Sequence, residues 1–335
     1  MVTLFSKKQI PTSLNNVSNY IKSDLKLFEN EFDDALKSKV KLIQTISRFM
    51  IKQRGKRIRP ILTLLASRVC GEPTDNTYKA AALIELMHIA TLIHDDVVDE
   101  AIKRRGWFSI KGIWGNKLSV LMGDYVLSKS LIYMIKIRDF DALDIISQTA
   151  EFMSSGELIQ LDYRFKKYPT EEAYFELIRQ KTACLIAAGC ELGALTTTKK
   201  KDDRKSMHDF GLNLGMAYQI RDDLFDLLGD ESEMGKDKGI DVKKNNLTLP
   251  IIHSLQSLEN NDKYRLLSII KKKNKTNELF AEINDLVERG NGFIYAQSKI
   301  EYFTQKAIES IKRYPESHFK DSMIYIAQFN ILRNQ

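Results

Sequence analysis

The chain has 335 residues, 43% of them hydrophobic, which is enough for one large core or for two ordinary ones. Its formal net charge of +7 and its pI near 9.0 indicate an anionic partner, which leaves nucleic acid, a membrane surface or a small phosphorylated molecule. The three cysteines include no C-x-x-C pair and no His/Cys cluster, so they exclude a zinc site and favour a reducing, cytoplasmic setting.

The first residues, 1–14, lack the apolar segment of a signal peptide. No apolar run in the sequence reaches the roughly 20 residues that a membrane span needs. We therefore expect a protein that does not cross a membrane, although transient contact with a membrane stays open.

Helices are predicted along most of the chain, because it contains only six prolines. Over 77–100 and 210–228, apolar residues recur at spacings of three and four and extend beyond one stripe, which is typical of helices buried on most sides. Between them, 170–195 begins with a capping Thr170 and acidic residues in its first turn. The lysine-rich stretches 198–205 and 270–278 are predicted to be exposed loops.

No alternating run predicts a strand, and no repeat or Gly/Ser linker divides the chain. We therefore predict a single all-α domain over residues 1–335, with the two buried helices at the centre of a bundle.

The first buried helix carries three aspartates within five positions, in the stretch TLIHDDVVDE. Asp95 and Asp99 lie one turn apart with Asp96 beside them, and like charges at that spacing cost about 0.2–0.5 kcal/mol per pair even when exposed. The spacing recurs on the second buried helix in YQIRDDLFD. A lone cluster is more often an exposed acidic edge, but a matched pair on core helices predicts facing carboxylates around divalent cations. Magnesium fits best, since it takes few carboxylates and completes its shell with water and phosphate oxygens.

Basic residues adjoin both acidic clusters, as a bound diphosphate would require. The three basic groups are Lys56, Arg57 and Arg59; Arg104 and Arg105; and Lys236 and Lys238. Each group alone is more often surface charge, and only its position beside a carboxylate cluster favours phosphate binding.

Taken in order, the motifs resemble those of the trans-isoprenyl diphosphate synthases, and more narrowly the long-chain polyprenyl type. They are GKRIRP, HDDVVDEAIKRRG, GELIQ, RQKTA, YQIRDDLFD and GKDKGIDVKKNNLTLP, and they span about 45–255; the tail 256–335 resembles the family only loosely. The resemblance implies antiparallel helices around a deep central cavity, a homodimer, and head-to-tail condensation of isopentenyl diphosphate with an allylic diphosphate.

The resemblance also implies the role of each matching residue. The acidic residues expected at the catalytic magnesium site are Asp95, Asp96, Asp99, Asp222, Asp223 and Asp226. Of these, Asp95, Asp99 and Asp222 are the expected metal ligands. The residues expected to hold the allylic diphosphate are Arg104, Lys181, Thr182, Gln219 and Lys236, with Lys181 also catalytic. Those expected to hold isopentenyl diphosphate are Lys56, Arg59, His88 and Arg105. Gly123-Asp124 and Gly156-Glu157 are interpreted as packing glycines beside surface acids.

Chain length in this family is limited by side chains just upstream of the first aspartate motif. Ala90 and Thr91 are small at that place, so we predict an open tunnel and a long all-trans product of quinone side-chain type. The floor of the tunnel is then set by deeper residues, Met87 or one near Ile132. Substituting Ala90→Tyr should shorten the product.

Two departures from the family pattern stand out. Asn245 and Asn246 replace the usual Gly-Lys, which removes a lysine expected at the allylic diphosphate and leaves Lys243 and Lys244 as candidate substitutes. Phe108 replaces a frequent proline after the RRG motif.

Four other functions are weighed against this one. A terpene cyclase typically replaces the second aspartate motif and lacks the isopentenyl-binding basic set. A non-catalytic or regulatory partner subunit usually loses one motif, whereas this chain keeps both. A short-chain farnesyl or geranylgeranyl synthase shares the motifs and differs in its tunnel. A nucleic-acid-binding protein lacks support here, because no recognisable module accompanies the basic charge.

Overall fold

The computed structural model describes residues 13–53, 55–104, 106–165, 169–228, 239–244, 246–272 and 275–332, which are almost entirely helical. In chain order the α-helices are α1 (Leu14–Tyr20), α2 (Lys22–Leu36), α3 (Lys41–Lys52), α4 (Ile58–Cys70), α5 (Asp75–Val98), α6 (Ile110–Ile137), α7 (Phe140–Phe165), α8 (Glu171–Ile178), α9 (Cys184–Leu195), α10 (Lys201–Leu228), α11 (Ile240–Lys243), α12 (Leu249–Ser257), α13 (Asn260–Ile270), α14 (Asn277–Arg289), α15 (Gly292–Ser310) and α16 (His318–Leu332). The predicted all-α class is confirmed.

Helix α5 lies in the centre of the bundle and packs on α2, α4, α6 and α9. It starts at a reciprocal capping box, in which the side chains of Thr74 and Thr77 each bond the other residue's backbone N–H. It ends at the C-cap residue Asp99, so the first aspartate motif occupies its last turn. The predicted helix over 77–100 is confirmed to within two residues at each end.

Helix α10 is longer than the sequence predicted. It begins at Lys201 instead of 210, so the prediction of an exposed loop over 198–205 is wrong for its second half. Asp202 and Asp203 lie in the first turn, where the positive end of the helix dipole favours acidic side chains.

The predicted helix over 170–195 is confirmed, with the side chain of Thr170 accepting from the N–H of Ala173 at 3.2 Å. It is interrupted by one π-helical turn, Arg179–Ala183, between α8 and α9. A π turn inserts a residue into the helical repeat and often marks a functional site. Here it carries the RQKTA motif.

A short hairpin follows α5, which the sequence did not predict. Strand β1 (Lys103–Arg104) pairs antiparallel with β2 (Trp107–Phe108). Gly106 lies between them with φ +79°, a conformation that favours glycine. The hairpin turns the chain from the first aspartate motif into α6.

The motif helices pack tightly against their neighbours. A Cβ atom on Gly215 of α10 would lie 2.5 Å from the Cα atom of Ala183, at the end of the π turn. The same helix also packs on α9 and on the C-terminal α15. The second aspartate motif is therefore held by elements from both the middle and the end of the chain.

Helix α6 combines a buried and an exposed apolar face. Among the described helices it alone is long and apolar enough to cross a membrane by length and composition, contrary to the sequence expectation. Part of its most apolar stretch is buried, and the core helix of a protein that crosses no membrane can be equally long and apolar. Leu121, Leu131 and Ile135 form an exposed apolar face, which we call the α6 face; they are 55%, 50% and 65% exposed.

Candidate active site

The first acidic cluster is formed by the last turn of α5. Asp96 is buried and accepts a hydrogen bond from Nε of Arg104, on β1, at 2.8 Å. Burial raises the pKa of the Asp96 carboxyl, and Arg104 opposes that rise. Asp95 and Asp99 are half-buried. The hairpin thus places Arg104 beside the aspartates, as the sequence predicted.

The surroundings of Asp95 disfavour its ionised carboxylate. Burial and then the nearby carboxylate of Glu157 raise its pKa to about 7, while Lys181 and Arg104 oppose the rise. A bound cation would favour the ionised carboxylate here.

Lys181, on the π turn, contacts helix α7 closely. Its Nζ lies 2.7 Å from Oε1 of Glu157 and 2.5 Å from Oε1 of Gln160. The approach requires a glycine, because a Cβ atom on Gly156 would lie 2.8 Å from the backbone N of Lys181. Gly156 is thus a packing glycine, as interpreted, but the interpretation of Glu157 as a surface acid is wrong, because its side chain is only 29% exposed and pairs with Lys181. Asp124, by contrast, is 62% exposed, as expected of a surface acid.

The second acidic cluster lies at the end of α10 and contains three different environments. Asp222 is exposed, Asp223 is buried and Asp226 is half-buried. Asp226 accepts a hydrogen bond from the backbone N–H of Asp241 at 2.9 Å. The segment after the motif therefore folds back onto it.

A hydrogen-bond chain runs from the π turn to Asp223. The hydroxyl of Thr182 donates to Oε1 of Gln219, and Nε2 of Gln219 donates to Oδ1 of Asp223, each at 2.7 Å. The other oxygen of Asp223 accepts from the hydroxyl of Tyr174, also at 2.7 Å. Burial and then Asp241 raise the pKa of Asp223 well above its usual range, while these two hydrogen bonds oppose the rise. Both oxygens of Asp223 thus accept a hydrogen bond, one from Gln219 and the other from Tyr174.

Sequence reasoning missed Tyr174. It lies on α8, seven positions before Lys181, and is almost fully buried. Its hydroxyl must find a partner when buried, so a tyrosine on the apolar face of a predicted helix was the available signal. Nothing in the sequence identified Asp223 as that partner.

One segment connects the two acidic clusters. Helix α11 bonds to Asp226 through the N–H of Asp241, and three residues later Nζ of Lys244 lies 3.1 Å from Oδ2 of Asp99. A second connection runs through the π turn. There the charge of Lys181 opposes the rise in the pKa of Asp95, and the hydroxyl of Thr182 donates a hydrogen bond to Gln219. The clusters therefore belong to one site.

The structure brings together two of the residues expected to bind isopentenyl diphosphate. Nη1 of Arg59, on α4, lies 3.0 Å from Nε2 of His88, on α5, and both are half-buried. Lys56 is exposed. Arg57 instead pairs with Glu29 at 2.5 Å and lies over the ring of Phe28, so its contacts support α2. Arg105 and Lys236 lie outside the described residues.

The chain-length candidates lie on the buried side of α5. Met87 and Ala90 are buried, and the half-buried Thr91 donates its hydroxyl to the carbonyl of Met87 at 3.1 Å. Ile132, at 46% exposed, points away from the interior.

The donor set fits a divalent metal that is shared with a ligand. No three acidic, His or Cys side chains among the described residues are close enough to hold an ion by themselves. Magnesium does not need such a cage, because one or two carboxylates together with substrate phosphates complete its shell. Burial is the largest cause of the raised pKa of Asp95, and a bound cation would lower it.

Comparisons with known proteins agree with this geometry. A family model described as polyprenyl synthetase matches residues 40–287. The chain is 31% identical over 312 residues to heptaprenyl diphosphate synthase component 2 of Bacillus subtilis, covering 93% of this chain and 88% of that protein. It is 30% identical to geranylgeranyl diphosphate synthase of Saccharolobus solfataricus, covering 93% and 99%. A polyprenyl synthase from Caulobacter crescentus CB15, solved with calcium and isoprenyl diphosphate, superimposes with a TM-score of 0.88 at 28% identity, covering 95% and 97%.

Proposed function

The chain belongs to the polyprenyl synthetase family and is a prenyltransferase; we propose that it condenses isopentenyl diphosphate head-to-tail with an allylic diphosphate. The product proposed is a long all-trans polyprenyl diphosphate of the kind that supplies quinone side chains. The observation that carries this proposal is the joining of both acidic clusters by the segment from Asp241 to Lys244.

A divalent metal is part of this family's chemistry, and we propose magnesium for this chain. Asp95, Asp99 and Asp222 would hold it. When bound, the metal polarises diphosphate oxygens and stabilises the charge that develops on the leaving group. The buried Asp96 and Asp223 would support the metal ligands without binding the metal themselves, since each already accepts a hydrogen bond from a neighbour.

Two sets of cationic side chains are proposed to bind the two diphosphates. Arg104, Lys181 and Lys236 are proposed for the allylic diphosphate. Lys181 is paired with Glu157, and this contact holds its ammonium group at the site. For isopentenyl diphosphate we propose Lys56, Arg59, His88 and Arg105.

The allylic cation that forms after ionisation needs neutral dipoles and no water. Thr182 and Gln219 offer such dipoles, and the hydrogen-bond chain to Asp223 and Tyr174 fixes the orientation of the Gln219 amide. The double bond of isopentenyl diphosphate attacks the cation, and the proton that is then lost goes to the released diphosphate. No protein nucleophile is required.

The length of the product depends on the space below the site. The basis for proposing a tunnel along α5 is the small size of Ala90, just upstream of the first aspartate motif. A short-chain product is the alternative, and analysis of the reaction products distinguishes the two.

A second copy of this chain is the proposed partner of the α6 face. Contiguous exposed apolar surface commonly marks a protein interface, and twofold dimers are the commonest closed assemblies. Leu131→Asp should convert the dimer to a monomer in size-exclusion chromatography with light scattering. A wild-type monomer would contradict the proposal.

We further propose that residues 1–335 form one catalytic domain, because α10 packs on α9, α15 and α16 alike. A cytoplasmic setting is also proposed. It is supported by the cysteines Cys70, Cys184 and Cys190, all of which are free thiols.

The direct test is product analysis. Purified protein is incubated with magnesium, isopentenyl diphosphate and farnesyl diphosphate, and the extracted chains are measured by mass spectrometry. We expect magnesium-dependent long prenyl chains, which disappear in Asp95→Ala. Glu72→Ala, a substitution at an exposed carboxylate of the α4 end, is the matched control and should leave the products unchanged. Absence of any elongation with several allylic primers would overturn the proposal.

A further inference from the structure

Two adjacent lysines follow the second acidic cluster, and the structure separates them. Nζ of Lys244 lies 3.1 Å from Oδ2 of Asp99, and both side chains are about one-third exposed, at 32% each. Lys243 is exposed and points to α14, with its Nζ 5.7 Å from the ring centroid of Phe280. Only Lys244 of this pair contacts the acidic site.

Asn246 stands where the resembling sequences have a lysine, and its side chain contacts Asp241. Its Nδ2 donates to Oδ1 of Asp241 at 3.1 Å, and its backbone N–H donates to the carbonyl of the same residue at 2.8 Å. These bonds close the turn after α11. The closed turn contributes to placing Lys244 beside Asp99.

The contact between Lys244 and Asp99 has the properties of an exchangeable pair. Partly exposed ion pairs contribute little to stability, because water competes for both charges. Lysine is a compact charge on a flexible stem and can follow a moving anion over several ångströms. A divalent cation that binds Asp99 would therefore displace the ammonium group at small cost.

We propose that Lys244 is the counter-ion of Asp99 in the metal-free enzyme and becomes a ligand of the allylic diphosphate once metal occupies Asp99. This inference rests on the proposed function. It assigns to Lys244 the positive charge that Asn246 cannot supply, and it makes metal binding and diphosphate binding mutually dependent through one side chain.

The inference predicts opposite changes in two affinities. Lys244→Met keeps the length of the stem and removes the charge. Without diphosphate, the variant should bind divalent metal about threefold more tightly, because the Lys244 ammonium group no longer competes for Asp99. With metal present, it should bind inorganic diphosphate about tenfold more weakly, because one charge-assisted contact is lost.

The experiment measures Mn²⁺ binding by electron paramagnetic resonance, first alone and then with inorganic diphosphate. Lys243→Met is the matched control and should equal the wild type in both titrations. Adding Asn246→Lys to Lys244→Met should restore diphosphate affinity while the tighter metal binding persists. Circular dichroism and thermal melting establish that each variant is folded.

The outcomes separate this inference from the proposed function. If the wild type has a Mn²⁺ site that diphosphate strengthens and Asp95→Ala abolishes, yet Lys244→Met matches the wild type in both titrations, the role of Lys244 is refuted. Equal effects of Lys243→Met and Lys244→Met would refute it too. If the wild type has no such site, the proposed function fails, and this inference fails with it.

Discussion

The hydroxyl of Tyr174 closes the hydrogen-bond chain that holds Gln219, and its removal tests that chain. In Tyr174→Phe, Oδ2 of Asp223 loses a donor at 2.7 Å inside a fully packed region. Hydrogen bonds to charged groups contribute about 1.5–3 kcal/mol, and an unsatisfied buried acceptor retains its desolvation cost. Because Gln219 still donates to the other oxygen, we expect a loss of about 2 kcal/mol in the free energy of unfolding.

The same change should slow prenyl transfer. Without the tyrosine, the pKa of Asp223 rises further, because a hydrogen bond that opposed the effect of burial is gone. With one of its two hydrogen bonds lost, the Asp223 carboxyl fixes the Gln219 amide less firmly, and we expect roughly a tenfold fall in kcat, equivalent to about 1.4 kcal/mol of transition-state stabilisation. KM for isopentenyl diphosphate should change little, since Arg59 and His88 lie on α4 and α5.

Tyr78→Phe is the matched control for this experiment. Tyr78 also donates to a buried carboxylate, Oδ1 of Asp24, at 3.1 Å, but Asp24 keeps two bonds from Arg68 at 2.9 Å. We expect a loss of about 1 kcal/mol in urea unfolding and unchanged kcat. Wild-type stability and wild-type kcat in Tyr174→Phe would refute the chain from Thr182 to Tyr174.

Three further predictions concern packing, pH and the tunnel. Gly156→Ala should lower the free energy of unfolding, measured with urea, by about 1–3 kcal/mol and should also lower kcat, because the added Cβ displaces Lys181. Ser154→Ala, at an exposed position of the same helix, should change neither quantity. Burial raises the pKa of Glu191, so its ionisation opposes folding, and the free energy of unfolding should fall as pH rises above the pKa that Glu191 has in the unfolded chain. Glu191→Gln should flatten this dependence of the free energy of unfolding on pH. An unchanged dependence would contradict the prediction. Glu282, whose pKa is lowered by Arg265, should show the opposite dependence, because its contribution to the free energy of unfolding is lost as pH falls. Ala90→Tyr should shorten the extracted product in mass spectrometry while Thr91→Val leaves it unchanged; equal lengths in all three proteins would refute the tunnel along α5.

The sequence predicted those features of the fold that depend on local pattern. The helices that carry Asp95 and Asp222 were located because their apolar residues recur at helical spacing over more than five turns. The start of α10 was misplaced, since a lysine-rich segment resembles a loop until its position against the bundle is known. The π turn was not predicted, because a single inserted residue leaves the apolar pattern of its flanking helices nearly intact.

The parts of the site that the sequence could not supply depend on contacts between distant segments. Glu157 reaches Lys181 only because Gly156 lets α7 approach the π turn closely. Lys243 and Lys244 are chemically identical neighbours, and the turn after α11 decides which of them meets Asp99. Arg57 and Arg59 are likewise separated by structure, since the first supports α2 and the second meets His88.

The central claim is that the acidic clusters on α5 and α10 act as one unit on a metal-bound diphosphate. A double-mutant cycle on kcat with Asp95→Ala, Asp222→Ala and the combined variant measures this directly. If the clusters work together, either single change removes the shared function, so the combined variant should be within about threefold of the slower single variant. Losses that multiply, with the combined variant slower by the product of the two single factors, would show that the clusters act independently and would contradict the claim.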